Sequence, residues 1–351
     1  MIKNLQSLRF IFILLVFMSH ITWASISFDF GGECGVSFFF ILSGFVLSVG
    51  YGTRIENGEF RNRQFFTKQL LKFYPLHIIT MIIVLLMDMR LGRYTEPYLL
   101  LPNILLLQSW FPDDKFYFVA NGSSWFLSDM MFFYLMFHLL YEKIVRGSIK
   151  KVMAMTTVVL VAWTALSFSV PENKINAILY ASPMTRIIDF AVGIMLYRVY
   201  ISDITHNFSC ALTAKINRCS AGIMELSAVI IMLLTYAIYQ YTPANIRCSA
   251  LFWITVPIFI YLLSITDKHG GIITKILHSK TMMWLGSISF EFYMVHMAVL
   301  RFTGNILRSI ITDVSAPLLF FVSLPITVFA SFITKKYFVD KIYSYLIKRV
   351  I

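Results

Sequence analysis

The chain has 351 residues, 58% of them hydrophobic and 14% charged, with a mean hydropathy of +0.74. A soluble chain carries about 25% charged residues, so this balance excludes a soluble globular protein and predicts an all-α, polytopic integral membrane protein. The net charge of +12 lies between the apolar runs, which points to membrane topology and away from nucleic acid. The four cysteines, Cys34, Cys210, Cys219 and Cys248, show no metal-ligand spacing.

A membrane span needs roughly 20 mostly apolar residues. Ten segments meet that: about 8–26, 34–50, 69–88, 123–142, 152–170, 184–201, 221–241, 247–266, 283–304 and 315–337. The first follows Lys3 and Arg9 as a signal peptide would. It is longer than an ordinary signal core and others follow it, so it reads as a retained span. The run 98–111 is short and bounded by Pro102 and Pro112, and is expected to be re-entrant or interfacial on the outer side. With both termini in the cytoplasm, most Lys and Arg fall in cytoplasmic segments: Lys3 and Arg9, then Arg54 to Lys72, Lys143 to Lys151, Arg198 to Arg218, Lys268 to Lys280, and Lys335 to Arg349. That obeys the positive-inside rule. The longest outer loop, about 89–122, is too short for a soluble domain. No Walker A or GxGxxG pattern is present, which weakens any ATP-driven or nucleotide-binding reading.

Polar groups inside the spans carry the chemistry, because burying them in hydrocarbon is costly. In "LRFIFILLVFMSHITW", residues 8–23, Arg9 and His20 are eleven residues apart. On a helix that is three turns plus about 20°, so both side chains share a face, roughly 16 Å apart along the axis. A cationic entrance with an imidazole deep below it suits an anionic molecule entering from the cytoplasm. The bland alternative is a snorkelling arginine and a histidine bonded to a neighbouring helix.

In "GGECGVSFFFILSGFVLSVGYG", 31–52, Ser43 and Gly44 predict a packing notch or a local unwinding. Lys68 and Lys72 are i, i+4 and share a face at a cytoplasmic mouth, just before Tyr74 and a kinking Pro75. They can hold phosphates as point charges or serve as an ordinary basic flank. Asp129, four residues after Trp125, can orient a hydroxyl or a histidine, or merely end a helix. Arg186 and Asp189 are i, i+3 and can pair. Glu291 and His296 are about 140° apart on one helix, so they do not squarely face one cavity. His77 and His138 read as structural, His206, His269 and His278 fall in cytoplasmic loops, and no metal is expected.

Six stretches in order resemble the membrane-bound acyltransferase family 3, bacterial O-acyltransferases of surface glycans. The family's Arg, ten residues, His opening is matched by Arg9 to His20. Its "GVxxFFxLSGFxL" is matched by "GVSFFFILSGFVL" at 35–47, and its "RxxRIxPxY" by "KQLLKFYPLH" at 68–77. "WFLSDMMFFYL" at 125–135, "RIIDFAVG" at 186–193 and "ISFEFYMVH" at 288–296 are similar to three further elements. The chain departs from the pattern where Gln69 and Lys72 replace the RxxR arginines, losing the planar fork that grips phosphate. It departs again where Met130 replaces a glutamate, with Asp129 one place earlier and so turned by about 100°.

The resemblance implies a single polytopic domain over 1–351, without the C-terminal esterase-like domain of longer members, in the bacterial inner membrane. It implies a cytoplasmic acyl-CoA donor, usually acetyl-CoA, and a glycan or lipid-linked sugar acceptor. His20 is then general base or transient acyl carrier, and Arg9 positions the donor or balances charge. Lys68, Lys72 and Tyr74 become donor contacts. Ser43, Trp125, Asp129, Arg186, Glu291 and His296 become acceptor contacts or supports, with Glu291 or Asp129 available to fix the His20 tautomer. The competing class is a proton-coupled transporter or flippase using His20 and the buried acids as a relay.

Overall fold

The computed structural model describes residues 2–21, 28–202 and 218–350. His206, Cys210, Lys215 and the end of the first expected span lie outside the described residues, as does the Arg218 side chain. The described chain is helical, with ten principal helices: α1 (Lys3–Ser19), α2 (Asp29–Glu56), α3 (Asn62–Arg90), α4 (Trp125–Ile144), α5 (Ile149–Ser169), α6 (Pro183–Ile201), α7 (Arg218–Tyr239), α8 (Phe252–Ile265), α9 (Ser289–Ile310) and α10 (Ala316–Ile333). Each overlaps one expected span. Among the described residues, six helices are long and apolar enough to cross a membrane, or up to eight if each of two bent pairs counts as one span. The chain is a multi-pass membrane protein. Its exposed Leu, Ile, Phe and Val side chains, such as Leu86, Val158, Leu233 and Phe329, are those a hydrocarbon solvent accepts.

Side-chain contacts give the direction of each helix. Phe10 and Phe17 of α1 meet Phe292 and His296 of α9 in the same order, and Phe73 and Asp88 of α3 meet Phe290 and Arg301 of α9. So α1, α3 and α9 run together. Ser167, near the end of α5, accepts from Asn245 just before α8 begins, and Tyr239 at the end of α7 meets Phe30 at the start of α2. In the opposite sense, α2, α4 and α6 run together. Gly44 abuts Phe190 and Gly193, and further along Gly52 abuts Tyr141 and Tyr197. Phe252 meets Phe30 and Phe259 meets Phe12, which aligns α8 with α2. Phe320 meets Phe17 while Phe332 meets Trp284, which sets α10 against α1. Successive helices alternate throughout.

Close approach depends on glycine at two places. A Cβ at Gly44 would strike the Phe190 carbonyl, and one at Gly193 would strike the Ile41 carbonyl. The LSGF stretch and the RIIDFAVG stretch are thus two sides of one contact, and of the two expectations at Ser43-Gly44 the packing notch holds. Helix α2 stays continuous there.

Two features differ from the sequence expectation. Helix α1 ends at Ser19 with His20 as its C-cap, so His20 sits at a helix end and not within a longer span. The segment expected over 283–304 is two helices, Lys280–Ser287 and α9, bent by 66°. Between α3 and α4 the chain forms short helical pieces, Pro97–Ile104, Gln108–Trp110, Asp114–Tyr117 and Gly122–Ser124. They cover the end of the bundle where α1 finishes. Buried amides tie them down: Gln108 donates to the Ser124 carbonyl at 3.0 Å, and Asn121 reaches the neighbouring helices, donating to Thr80 Oγ1 and the Met294 carbonyl at 3.1 and 2.9 Å.

Candidate functional site

A cavity of about 250 Å³ lies among α1, α2, α3, α4 and the start of α9. Its polar end carries Arg9, Gln69, Lys72 and Ser289, and its other end is walled by Val36, Phe39, Phe126 and Tyr293. A larger hollow of about 850 Å³ between α5, α6 and α8 is lined almost wholly by hydrocarbon. It offers no charged group, so the chemistry belongs to the smaller cavity.

Helix periodicity puts the cations there. Arg9 projects from α1 and its guanidinium donates to Gln6 Oε1 at 3.2 Å. Lys72 remains exposed, with its ammonium 5.1 Å from the Phe73 ring centroid. Glu291, in the first turn of α9, is 4% exposed and has Lys335 and Lys72 as its charge neighbours. Lys335 donates to the Ser287 carbonyl, in the bend before α9. Ser43 also lines the cavity, although its hydroxyl is turned to the Phe39 carbonyl at 2.7 Å. Lys68 and Tyr74 do not line the cavity. Tyr74 stands 6.2 Å from the His77 ring, and His77 itself meets the Asn103 carbonyl at 2.9 Å.

At the far end, rings separate the cavity from a histidine pair. Phe126 stacks on Phe40 at 4.4 Å and lies 5.3 Å from Tyr293. Tyr293 is held by its hydroxyl, which donates to the Ser123 carbonyl at 2.7 Å. The Tyr293 ring is 5.7 Å from that of His296, which in turn lies edge-on to His20 at 5.0 Å. Each imidazole bonds a carbonyl through Nδ1: His20 to Val16 at 2.7 Å and His296 to Tyr293 at 2.6 Å. A carbonyl only accepts, so both Nδ1 atoms carry the proton and each neutral ring keeps its lone pair on Nε2. His20 is exposed, whereas His296 is buried with no partner for Nε2 among the described residues. A backbone carbonyl, and neither Glu291 nor Asp129, therefore sets the His20 tautomer.

The remaining charged residues make a separate buried cluster. Arg186 is fully buried, donates to the Cys248 carbonyl at 2.9 Å and to Ser37 Oγ at 3.0 Å, and stands 3.6 Å from Asp189. Ser249 donates to Asp189 at 3.0 Å. The Arg186 guanidinium also lies 5.2 Å from the Phe40 ring centroid. Asp129 is buried beside this group, and neither carboxyl oxygen has a hydrogen-bond partner among the described residues. Its neighbour Ser109 gives its hydroxyl to the Trp125 carbonyl at 2.9 Å. Trp125 packs on Tyr180 at 5.0 Å.

The structure thus brings Arg9, Ser43 and Lys72 to one cavity, His20 and His296 to one pair, and Arg186, Asp189 and Asp129 to one cluster. Sequence reasoning missed Phe126, Ser289 and Tyr293. Tyr293 is one helical turn before His296, a spacing that places it under the imidazole.

A family model described as an acyltransferase domain, that of the acyltransferase 3 family, matches residues 2–336. The chain is also similar to acyltransferase MdmB of Streptomyces mycarofaciens, at 26% identity over 288 residues, which cover 77% of this chain and 69% of that protein. No solved structure matches.

Proposed function

We propose, from the premise that the chain belongs to the acyltransferase 3 family, that this membrane acyltransferase moves an acetyl group from acetyl-CoA to a hydroxyl of a cell-surface or exported glycan. The observation that carries the reading is the cavity with Arg9 and Lys72 at its polar end and the His20–His296 pair beyond its aromatic end. Cations attract the phosphates of the donor, and the apolar interior suits its thioester arm. His20 acts as general base. As the glycan oxygen forms a bond to the acyl carbon, its proton passes to His20 Nε2, the carbon–sulfur bond breaks, and the proton leaves on the CoA thiol.

The strictly alternating helix directions support ten spans with both termini in the cytoplasm of a bacterial inner membrane. Arg9 and Lys72 lie on the side where α1 begins, so the donor enters from the cytoplasm and the acceptor meets His20 at the opposite face. A lipid-linked sugar is an equally suitable carrier of the hydroxyl.

The test is to supply membranes containing the protein with labelled acetyl-CoA and to follow label on extracted glycan and free CoA thiol. Label and thiol rising together only when the protein is present support the reading. Thiol release without labelled glycan, or no donor consumption with acceptor present, contradicts it.

A further inference from the structure

The geometry points to Phe126 as the residue that sets acyl-chain length, closing the passage from the donor cavity to the histidine pair. This inference rests on the acyl-CoA reading above. Three rings meet at the far end: Phe126 and Tyr293 line the cavity, and Phe40 stands behind Phe126. Phe40 is fully buried and wedged among Phe133 at 4.9 Å, Trp125 at 6.3 Å and the Arg186 guanidinium at 5.2 Å. Tyr293 is 8% exposed and fastened through its hydroxyl to Ser123. Phe126 is half-buried, lines the cavity, and leans on both rings.

The anchoring explains the role. Phe40 and Tyr293 are buried and fixed by packing or a hydrogen bond outside the cavity, while Phe126 is the least buried of the three and borders the cavity itself. A donor held by its phosphates at Arg9 and Lys72 directs its thioester arm toward this end. The acyl carbon must pass the Phe126 ring to reach the hydroxyl at His20; a slim acetyl group passes beside it, and each added methylene must displace the ring further. One methylene in a fitted apolar pocket is worth about 10- to 200-fold in specificity, so a single ring suffices to exclude long acyl groups.

The experiment compares wild type, Phe126→Leu and Phe126→Ala in membranes with acetyl-, propionyl-, butyryl- and hexanoyl-CoA, reading kcat/KM for each donor. The ratio of butyryl to acetyl transfer is independent of how much variant folds, so partial misfolding does not blur it. The expected result is a ratio raised about tenfold or more in Phe126→Ala and by a smaller factor in Phe126→Leu, with Leu135→Ala, exposed on the outside of α4 and away from the cavity, unchanged. A ratio equal to that of wild type in both Phe126 variants overturns the assignment while leaving the acyltransferase reading intact. A wild type that transfers no acyl group from any of the four donors removes both.

Discussion

The His20 and His296 rings meet edge-on at 5.0 Å, each with Nδ1 held by a backbone carbonyl of its own helix. The arrangement leaves the lone pair of each neutral ring on Nε2, and among the described residues a carbonyl and no carboxylate bonds each Nδ1. An incoming hydroxyl satisfies one Nε2, and the proton it gives up creates the donor that the other lacks.

His296 is therefore expected to support the proton acceptor. His296→Phe keeps a ring against Phe17 and Tyr293 but removes Nε2. It should lower the transfer rate about 10²-fold, the low end of general acid–base effects, and leave donor KM within a factor of two or three. Initial rates at varied acetyl-CoA separate the two effects.

Lys72 and Lys68 differ sharply although one helical turn joins them, because only Lys72 reaches the cavity. Lys72→Met should raise donor KM about tenfold or more, the size of a lost charged hydrogen bond of about 1.5–3 kcal/mol. Lys68→Met should change it less than twofold. High salt should weaken the wild type toward the Lys72→Met value as exposed charges are screened.

The reciprocal contact of Gly44 with Phe190 and of Gly193 with Ile41 leaves no room for a Cβ. Gly44→Val or Gly193→Val should cost at least about 1–3 kcal/mol through overpacking and lower the thermal unfolding midpoint in detergent. Gly50→Val, where nothing is near the added group, should leave the midpoint unchanged.

Arg186 and Asp189 are both fully buried. Asp189→Ala leaves the guanidinium without its closest acid and should cost about 3–5 kcal/mol, seen as lost folded protein by size-exclusion chromatography. A conservative Asp189→Asn, still able to accept from Ser249, should retain more.

The ten helices were legible because each carries a long apolar run, and Arg9, Lys72 and His20 stood out as charges or imidazoles inside such runs. Helix α1 carries Arg9 to the cavity and ends with His20 at its cap, against His296. The end of α1 at Ser19 was not legible, since Ile21 to Trp23 continue the apolar pattern with no breaker. The bend before α9 was hidden for the same reason, and the break falls at Ile288 between two helix-forming stretches. Phe126 and Tyr293 were invisible among so many aromatics. Their role comes from which rings they touch, a property of the packed bundle alone. Tyr74, by contrast, matched a motif yet turns toward His77.

The most direct measurement of the central claim is acyl transfer by His20→Ala and His20→Gln in membranes, with folding checked by chromatography and donor binding by retention on immobilised CoA. Both variants should bind the donor like wild type and lose about 10²–10⁴-fold in transfer. Folded variants that transfer acyl groups at the wild-type rate would contradict the account.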